Sequence, residues 1–98
     1  YMLTEPALLI SKRFNKLKPS FCIASVDNPV YVSAEIEAFR ILDSRIDLAY
    51  LILQLNSDYV VKQAESFSVG AVMPSLSRQD ILKLKISLIV LYNYIVNI

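Results

Sequence analysis

The sequence has no histidine, and it contains a single glycine and a single cysteine among its 98 residues. Histidine is the commonest general base and the commonest metal ligand, so a histidine triad or a histidine-bearing zinc site is excluded for this chain on its own. One glycine cannot supply a glycine-rich phosphate-binding loop. The lone Cys22 rules out a disulfide within the chain and fits a reducing compartment.

Acidic residues are missing from one stretch of the chain. The ten basic and nine acidic residues nearly balance, with a formal net charge of +1, yet residues 12–18 hold four cations and no acid. A nearly neutral chain therefore carries a local basic patch, of the kind that attracts phosphates.

Charge is also scarce in the chain as a whole. Hydrophobic residues make up 55% and charged residues 19%, which is apolar for a domain of this size and typical of a chain that buries surface against a partner or is cut from a larger protein. We expect one domain over residues 1–98. The first residues show no secretory signal, and the uncharged residues 86–98 are too short to cross a bilayer, so the sequence predicts a cytoplasmic protein without a membrane partner.

The first half of the chain is predicted to form strands. Residues 6–12 are an apolar run bounded by a proline and the basic stretch, and residues 20–25 alternate large and small side chains. Residues 30–41 show the longest alternation at period two, with Glu35 and Glu37 on the open face. The alternation slips near Phe39, as at a bulge or a strand end.

The period changes to a helical one after residue 43. Ser44 is predicted to cap a first helix with Asp47 at its third position, and a second helix is predicted over residues 58–66. The apolar stripe of the first helix consists of Leu48, Leu51, Ile52 and Leu55.

The clearest helix start lies after the loop at residues 67–75, which holds the only glycine. Ser77 is predicted to be the N-cap with Asp80 at the third position, and Leu76 and Ile81 are placed to staple the entry of the chain. A final strand over residues 86–92 is predicted to return to the sheet. The sequence therefore predicts an α+β fold with N-terminal β-strands, central helices, a short stapled helix and a returning C-terminal strand.

The nine carboxylates are scattered over the sequence. Most stand at turns, at helix caps or on the open face of a strand, and these structural roles are favoured over acid–base chemistry. A serine nucleophile motif and a cluster of metal-ligating side chains are both missing. The sequence therefore predicts no catalytic residue, no metal site and no cofactor, and it argues against an enzyme acting alone.

The strongest positive signal is the sequence KRFNKLK at residues 12–18. It places cations, an asparagine and an aromatic between two predicted strands, where they can reach phosphates and a base edge. An ordinary solvated hairpin tip has the same composition, and composition alone favours that simpler interpretation.

The second half of the chain resembles a known family. A strand ends in a Phe-Arg pair at residues 39–40, a helix covers residues 49–53, and then come a serine and a second helix, a glycine loop, a leucine-serine helix start and a strand. The matching positions after the first helix are Ser57, Gly70, Leu76, Ser77, Leu82 and Ile86. In this order they resemble the later part of a target-recognition domain of the type I restriction-modification specificity subunit, and the preceding segment is compatible with the β part of such a domain.

The resemblance implies a non-catalytic chain that reads a short sequence in double-stranded DNA. Separate subunits, an adenine-N6 methyltransferase (M) and a restriction endonuclease (R), would carry the chemistry; in a fused single-chain enzyme only the attachment would differ. Ser87, Ile89 and Val90 stand where the family has prolines that lead into a long spacer helix, and residues 91–98 have neither the charge nor the length for that helix. The resemblance therefore implies a truncated specificity polypeptide.

Within this interpretation the basic stretch contacts the duplex, with its cations at phosphates and its asparagine at a base edge. A second contact comes from the loop and helix start near residue 78. The expected DNA-contacting residues are Lys12, Arg13, Asn15, Lys16, Lys18, Ser75 and Arg78. An alternative of a different class is a small interaction module that self-associates, or pairs with another protein, through an apolar edge strand at residues 86–92.

Overall fold

The chain has an α+β fold, as the sequence predicts, with strands first, helices next and a strand that returns at the end. The computed structural model describes residues 1–12, 17–42, 46–67, 76–86 and 89–98. Its strands are β1 (Met2–Leu3), β2 (Ala7–Ser11), β3 (Ser20–Cys22), β4 (Val30–Tyr31), β5 (Ile36–Ile41), β6 (Lys85–Ile86), β7 (Ile89–Val90) and β8 (Ile95–Asn97). Its helices are α1 (Leu48–Leu55), α2 (Asp58–Ser66), α3 (Arg78–Leu82) and a 3₁₀-helix (Leu91–Asn93).

The centre of the fold is a four-stranded antiparallel sheet in the order β3-β2-β5-β8. Leu8 of β2 lies opposite Phe21 of β3 on one side and Phe39 of β5 on the other. Because successive strand residues point to opposite faces, Leu8, Ile10 and Phe39 share the face that packs against the helices.

The helices cover that face with the apolar stripes that the sequence predicts. Leu51 and Leu55 of α1, and Val60 and Ala64 of α2, are fully buried in the main core. At about 25 cal/mol per Å² of buried apolar surface, this shared core is the largest favourable contribution to folding. The interhelical break at residues 56–57 also stands where predicted, because Ser57 caps α2 through a hydrogen bond from the Val60 amide.

A second, smaller layer covers the other face of the sheet. Strands β1 and β4 pair antiparallel, and Leu3 packs there with Ala7, Ala24 and Ala38 in a separate buried cluster. Ala38 and Phe39 are therefore adjacent residues buried on opposite faces of β5. This explains why the alternation slips at Phe39: the pairing of β2 with β5 runs on without a bulge, and the strand is covered on both sides.

The predicted single strand over residues 30–41 is wrong. It is divided into β4 and β5, which belong to different sheets, by a turn in which the Ile36 amide donates to the Ser33 carbonyl at 3.1 Å. The turn contains neither glycine nor proline, so the alternation of side chains continues through it in the sequence. The predicted strand over residues 20–25 is also shorter than expected and ends at Cys22, leaving Ile23 82% exposed.

The first helix starts three residues later than a Ser44 cap implies. Asp47 is itself the N-cap of α1, and its Oδ1 accepts from the amides of Ala49 at 2.9 Å and Tyr50 at 3.3 Å. The prediction that places Asp47 at the third helical position is therefore wrong, and Ser44 lies outside the described residues. The Asp47 carboxylate thereby satisfies two of the free amides at the start of α1.

The stapled start of α3 is confirmed. The Ser77 hydroxyl accepts from the Asp80 amide at 3.1 Å, and the Asp80 carboxylate accepts from the Ser77 amide at 3.2 Å, which is a complete capping box. Leu76 and Ile81 are both buried in the main core. Of the loop predicted over residues 67–75 only Phe67 is described, so its single glycine, Gly70, lies outside the described residues.

The predicted final strand over residues 86–92 is wrong. Strands β6 and β7 pair with each other, the 3₁₀-helix follows, and the strand that joins the central sheet is β8, which pairs with β5. The Leu91 amide donates to the Leu84 carbonyl at 2.6 Å and turns the chain back. Within the described residues, the apolar run is thus divided among β6, β7, the 3₁₀-helix and β8 rather than forming one strand.

One glutamine joins the helical layer to β6. The side-chain Nε2 of Gln63 donates to the Lys85 carbonyl at 2.9 Å, and the side-chain Oε1 accepts from the backbone amide of Lys85 at 2.9 Å. The side chain of Gln63 thereby forms the same pair of hydrogen bonds that a neighbouring strand would form.

Replacing Gln63 by methionine is expected to lower the free energy of unfolding by about 1–3 kcal/mol, because the two hydrogen bonds to Lys85, worth about 0.5–1.5 kcal/mol each, are lost together with a longer one, 3.4 Å, from Nε2 to the Tyr59 carbonyl. Side-chain length and helix propensity are kept. The measurement is urea unfolding followed by circular dichroism. Gln54→Met in α1 is the matched control, because that side chain makes no hydrogen bond to the described residues. Equal midpoints for the two variants would show that the Gln63 bonds add nothing.

Candidate nucleic-acid interface

Two segments that the sequence assigns to DNA contact are joined by a backbone hydrogen bond. The Leu76 amide donates to the Lys12 carbonyl at 2.8 Å, which ties the residue before α3 to the end of β2. The Lys12 amide in turn donates to the Glu35 carbonyl at 3.0 Å. Residues 64 positions apart in the chain therefore lie side by side at one end of the sheet.

The basic stretch is closed at its base by a second backbone bond. The Ser11 amide donates to the Leu17 carbonyl at 2.7 Å, and Leu17 is 2% exposed in the main core. Lys18 follows with φ of 42°, in the left-handed region, which costs a residue other than glycine about 1–2 kcal/mol. The burial of Leu17 fixes this backbone geometry, and the Lys18 side chain is exposed.

The carboxylate of Glu37 in β5 forms an ion pair with one cation from each segment. Lys12 Nζ lies 3.1 Å from Glu37 Oε1, and Arg78 Nε lies 3.5 Å from Glu37 Oε2. The Glu37 side chain is 12% exposed, whereas that of Lys12 is 28% and that of Arg78 is 54% exposed. The carboxylate is therefore well covered, and the arginine remains accessible from outside.

The three charged side chains border an open cleft of about 770 Å³ between β5 and α3. Glu35 lies on the turn before β5, and Asp80 lies in the first turn of α3. The complete lining of the cleft is Lys12, Ala34, Glu35, Glu37, Leu76, Ser77, Arg78, Gln79 and Asp80.

Tyr1 borders an adjoining cleft of about 360 Å³ that shares the Lys12, Glu37 and Arg78 side chains. Its phenol donates a hydrogen bond to the Ile36 carbonyl. Burial, followed by the nearby Glu37 carboxylate, raises the pKa of the Tyr1 phenol above its usual value. The phenol therefore stays protonated, keeps its hydrogen bond to the Ile36 carbonyl, and lines the smaller cleft.

Three of the seven predicted DNA-contacting residues are described, and the structure brings two of them together. Lys12 and Arg78 meet at Glu37, while Lys18 is exposed beyond the closed base of the loop. The other four predicted residues lie outside the described residues, namely Arg13, Asn15, Lys16 and Ser75.

The sequence interpretation misses Glu37, because it places this residue on an open strand face. Glu37 lies opposite Ile10 and on the same face as Phe39, at the rim of the main core. The spacing of two residues between Glu37 and Phe39 is the signal that would have placed it there. A glutamate at the rim of a core requires partners, and Lys12 and Arg78 supply them.

A third cleft, of about 540 Å³, lies at the other end of β5. Arg40 donates to both carboxylate oxygens of Glu5, at 2.7 Å from Nε and 3.1 Å from Nη2. This hydrogen bonding lowers the pKa of the Glu5 carboxyl below its usual value. Arg40 belongs to the Phe-Arg pair of the family resemblance, and in this chain it is engaged by Glu5 at the rim of an apolar cleft.

Among the described residues, no group of three or more histidine, cysteine, aspartate or glutamate side chains is arranged to hold a metal ion. The described helices also include none with the length and apolar character needed to span a membrane. Comparison of the chain with protein-family models, with curated proteins and with solved structures gives no match.

Proposed function

We propose that this chain recognises a short sequence in double-stranded DNA as the specificity component of a restriction-modification system, with catalysis left to separate methyltransferase and endonuclease subunits. The observation that carries the proposal is the hydrogen bond from the Leu76 amide to the Lys12 carbonyl. It supports a composite surface, because the two segments assigned to DNA contact from the sequence are neighbours in the fold.

The chemistry of the surface suits a phosphate backbone. Cations at the end of β2 and at the start of α3 converge on one end of the sheet, and Lys18, at the far side of the basic stretch, is exposed. Lysine and arginine contacts to phosphate fix the position of a protein on a duplex, while base edges are read by polar groups such as asparagine. We assign the first role to the cations of residues 12–18 and of Arg78, and the second role to Asn15.

Two lysines of the basic stretch, Lys16 and Lys18, are the first targets for mutation. Lys12 and Arg78 already contact Glu37, so substitutions there also disturb an ion pair. Lys18 is exposed, and Lys16 lies in the same charged run. A double variant at these two positions therefore tests phosphate binding with the least disturbance of the described contacts.

The variant Lys16→Ala/Lys18→Ala is expected to bind a short random-sequence duplex more weakly than the wild-type chain. The negative slope of log affinity against log salt should become shallower by about 2, because two phosphate contacts are lost. The measurement is fluorescence anisotropy between about 50 and 200 mM salt. The control variant Lys62→Ala/Lys83→Ala removes the same charge from exposed positions on α2 and after α3. Unchanged affinity and slope for the Lys16/Lys18 variant would reject the basic stretch as the DNA contact.

Self-association is a second candidate function, favoured by the apolar side chains left exposed near β4. Ile23 is 82%, Val26 80% and Tyr31 75% exposed, which is unusual for large apolar side chains close to one another in the chain. Light scattering after size exclusion separates the two candidates. A dimer that is insensitive to salt and has no affinity for duplex DNA would favour self-association.

A further inference from the structure

We infer that Glu37 lowers the non-specific affinity of the proposed DNA surface: its carboxylate holds Lys12 and Arg78 and thereby weakens their attraction to DNA of arbitrary sequence. This inference rests on the proposed function. It goes further by assigning an acidic residue a role in a surface otherwise defined by its cations.

The position of Glu37 is set by the fold. It lies opposite Ile10 on the helix-facing side of the sheet, and only 12% of its side chain is exposed. A carboxylate that is removed from water to this extent is costly unless cations or hydrogen bonds compensate it. Lys12 comes from the end of β2 and Arg78 from the first turn of α3, so two separate elements provide that compensation.

The same contacts change what the two cations can do for DNA. Together the three side chains carry a formal charge of +1, so one of the two positive charges is already neutralised within the protein. When a phosphate approaches, Lys12 or Arg78 exchanges the Glu37 carboxylate for the phosphate. The net gain in binding free energy is therefore smaller than for a cation that was solvated before binding. Non-specific affinity depends almost entirely on such phosphate contacts, and is therefore the quantity that Glu37 reduces.

Two other carboxylates border the cleft but are placed differently. The Asp80 carboxylate accepts a hydrogen bond from the Ser77 amide in the capping box and so stabilises the start of α3. Glu35 is exposed on the turn that precedes β5. Within the described part of the chain, Glu37 is the carboxylate that contacts a cation from each of the two segments.

Replacing Glu37 by the isosteric glutamine is expected to tighten binding to a random-sequence duplex about threefold to tenfold at low salt, the size of one partly screened charge interaction. The slope of log affinity against log salt should become steeper by about 1. The control is Asp27→Asn, which removes one negative charge from an exposed loop between β3 and β4 that does not line the cleft. Thermal melts of both variants establish that the compared chains are folded.

A double-mutant cycle gives a readout that a purely structural role would not move. Lys12→Met is expected to weaken duplex affinity in both chains, because each loses one positive charge, and to do so more strongly, about threefold or more, in the Glu37→Gln chain, where no carboxylate holds the lysine. The variant Lys12→Met/Glu37→Gln removes one cation and the carboxylate together. It should still bind random duplex more tightly than Lys12→Met alone, because Arg78 is released.

The possible failures are distinguishable. If the wild-type chain does not bind duplex DNA even at low salt, the proposed function fails and the role of Glu37 fails with it. If the wild-type chain binds, and Lys16→Ala/Lys18→Ala weakens binding, but folded Glu37→Gln binds no tighter than Asp27→Asn, the role of Glu37 alone is overturned. If Glu37→Gln does not fold, equal affinities of Lys12→Met and Lys12→Met/Glu37→Gln overturn it instead.

Discussion

Replacing Phe39 by alanine is expected to lower the free energy of unfolding by about 3–5 kcal/mol. Phe39 is fully buried, and its ring lies at the centre of the sheet between Leu8 of β2 and the final strand β8. Removal of the ring loses its transfer free energy and leaves a cavity that the flanking strands cannot close. The free energy of unfolding of natural domains is about 5–15 kcal/mol in total, so this loss would leave the variant only marginally stable.

Urea unfolding of Phe39→Ala measures this effect, provided that the slope of the transition stays as in the wild-type chain. Phe39→Leu, which keeps most of the apolar volume, should lose much less. Phe67→Ala is the control for the chemical change itself, because Phe67 is 41% exposed and should cost less than about 1 kcal/mol. A Phe39→Ala midpoint as high as that of Phe67→Ala would contradict the central place of this ring in the core.

The second large effect is expected at Leu76, where alanine should cost about 2–5 kcal/mol. Leu76 is 1% exposed, packs in the main core, and is the staple residue just before the capping box of α3. Its amide also holds the end of β2 through the Lys12 carbonyl. The substitution therefore acts on global stability and on the junction that supports the proposed interface.

The control for Leu76→Ala is Leu53→Ala in α1, a position that is 69% exposed and should change stability by less than about 0.5 kcal/mol. Amide hydrogen exchange adds a local measurement. In Leu76→Ala the amide of residue 76 should exchange faster even where the rest of the sheet remains protected, because its hydrogen bond to Lys12 loses the buried anchor. Slow exchange with unchanged stability would show that the backbone bond does not depend on the side chain.

Local signals in the sequence predict the helices better than the strands. The cap and staple of α3 and the limits of α2 depend on residues within about four positions of each other, where hydrogen bonding and packing are local. The turn between β4 and β5 has no local signal, because Ser33 and its neighbours fit a strand as well as a bend. The pairing of β4 with the distant β1 places β4 in a different sheet from β5, and this long-range contact cannot be seen in the local sequence.

The candidate site shows the same division. The basic stretch and the start of α3 are visible in the sequence as separate features, since charge and caps are local properties. Their juxtaposition is not visible, because it depends on a hydrogen bond between Leu76 and Lys12 across most of the chain. The partner of both cations, Glu37, is hidden for a different reason: its face of the strand can be assigned only once the helix-facing side of the sheet is known.

The hydrogen bond from the Ser11 amide to the Leu17 carbonyl closes the sheet on either side of the basic stretch. Leu17 is anchored in the core and Ser11 ends a paired strand, so the sheet is complete at both ends of the intervening segment. An insertion between these two positions is therefore expected to cost stability only slowly with its length. Under the proposed function, the DNA target could change through substitutions between Ser11 and Leu17 while the buried core that supports the surface stays the same.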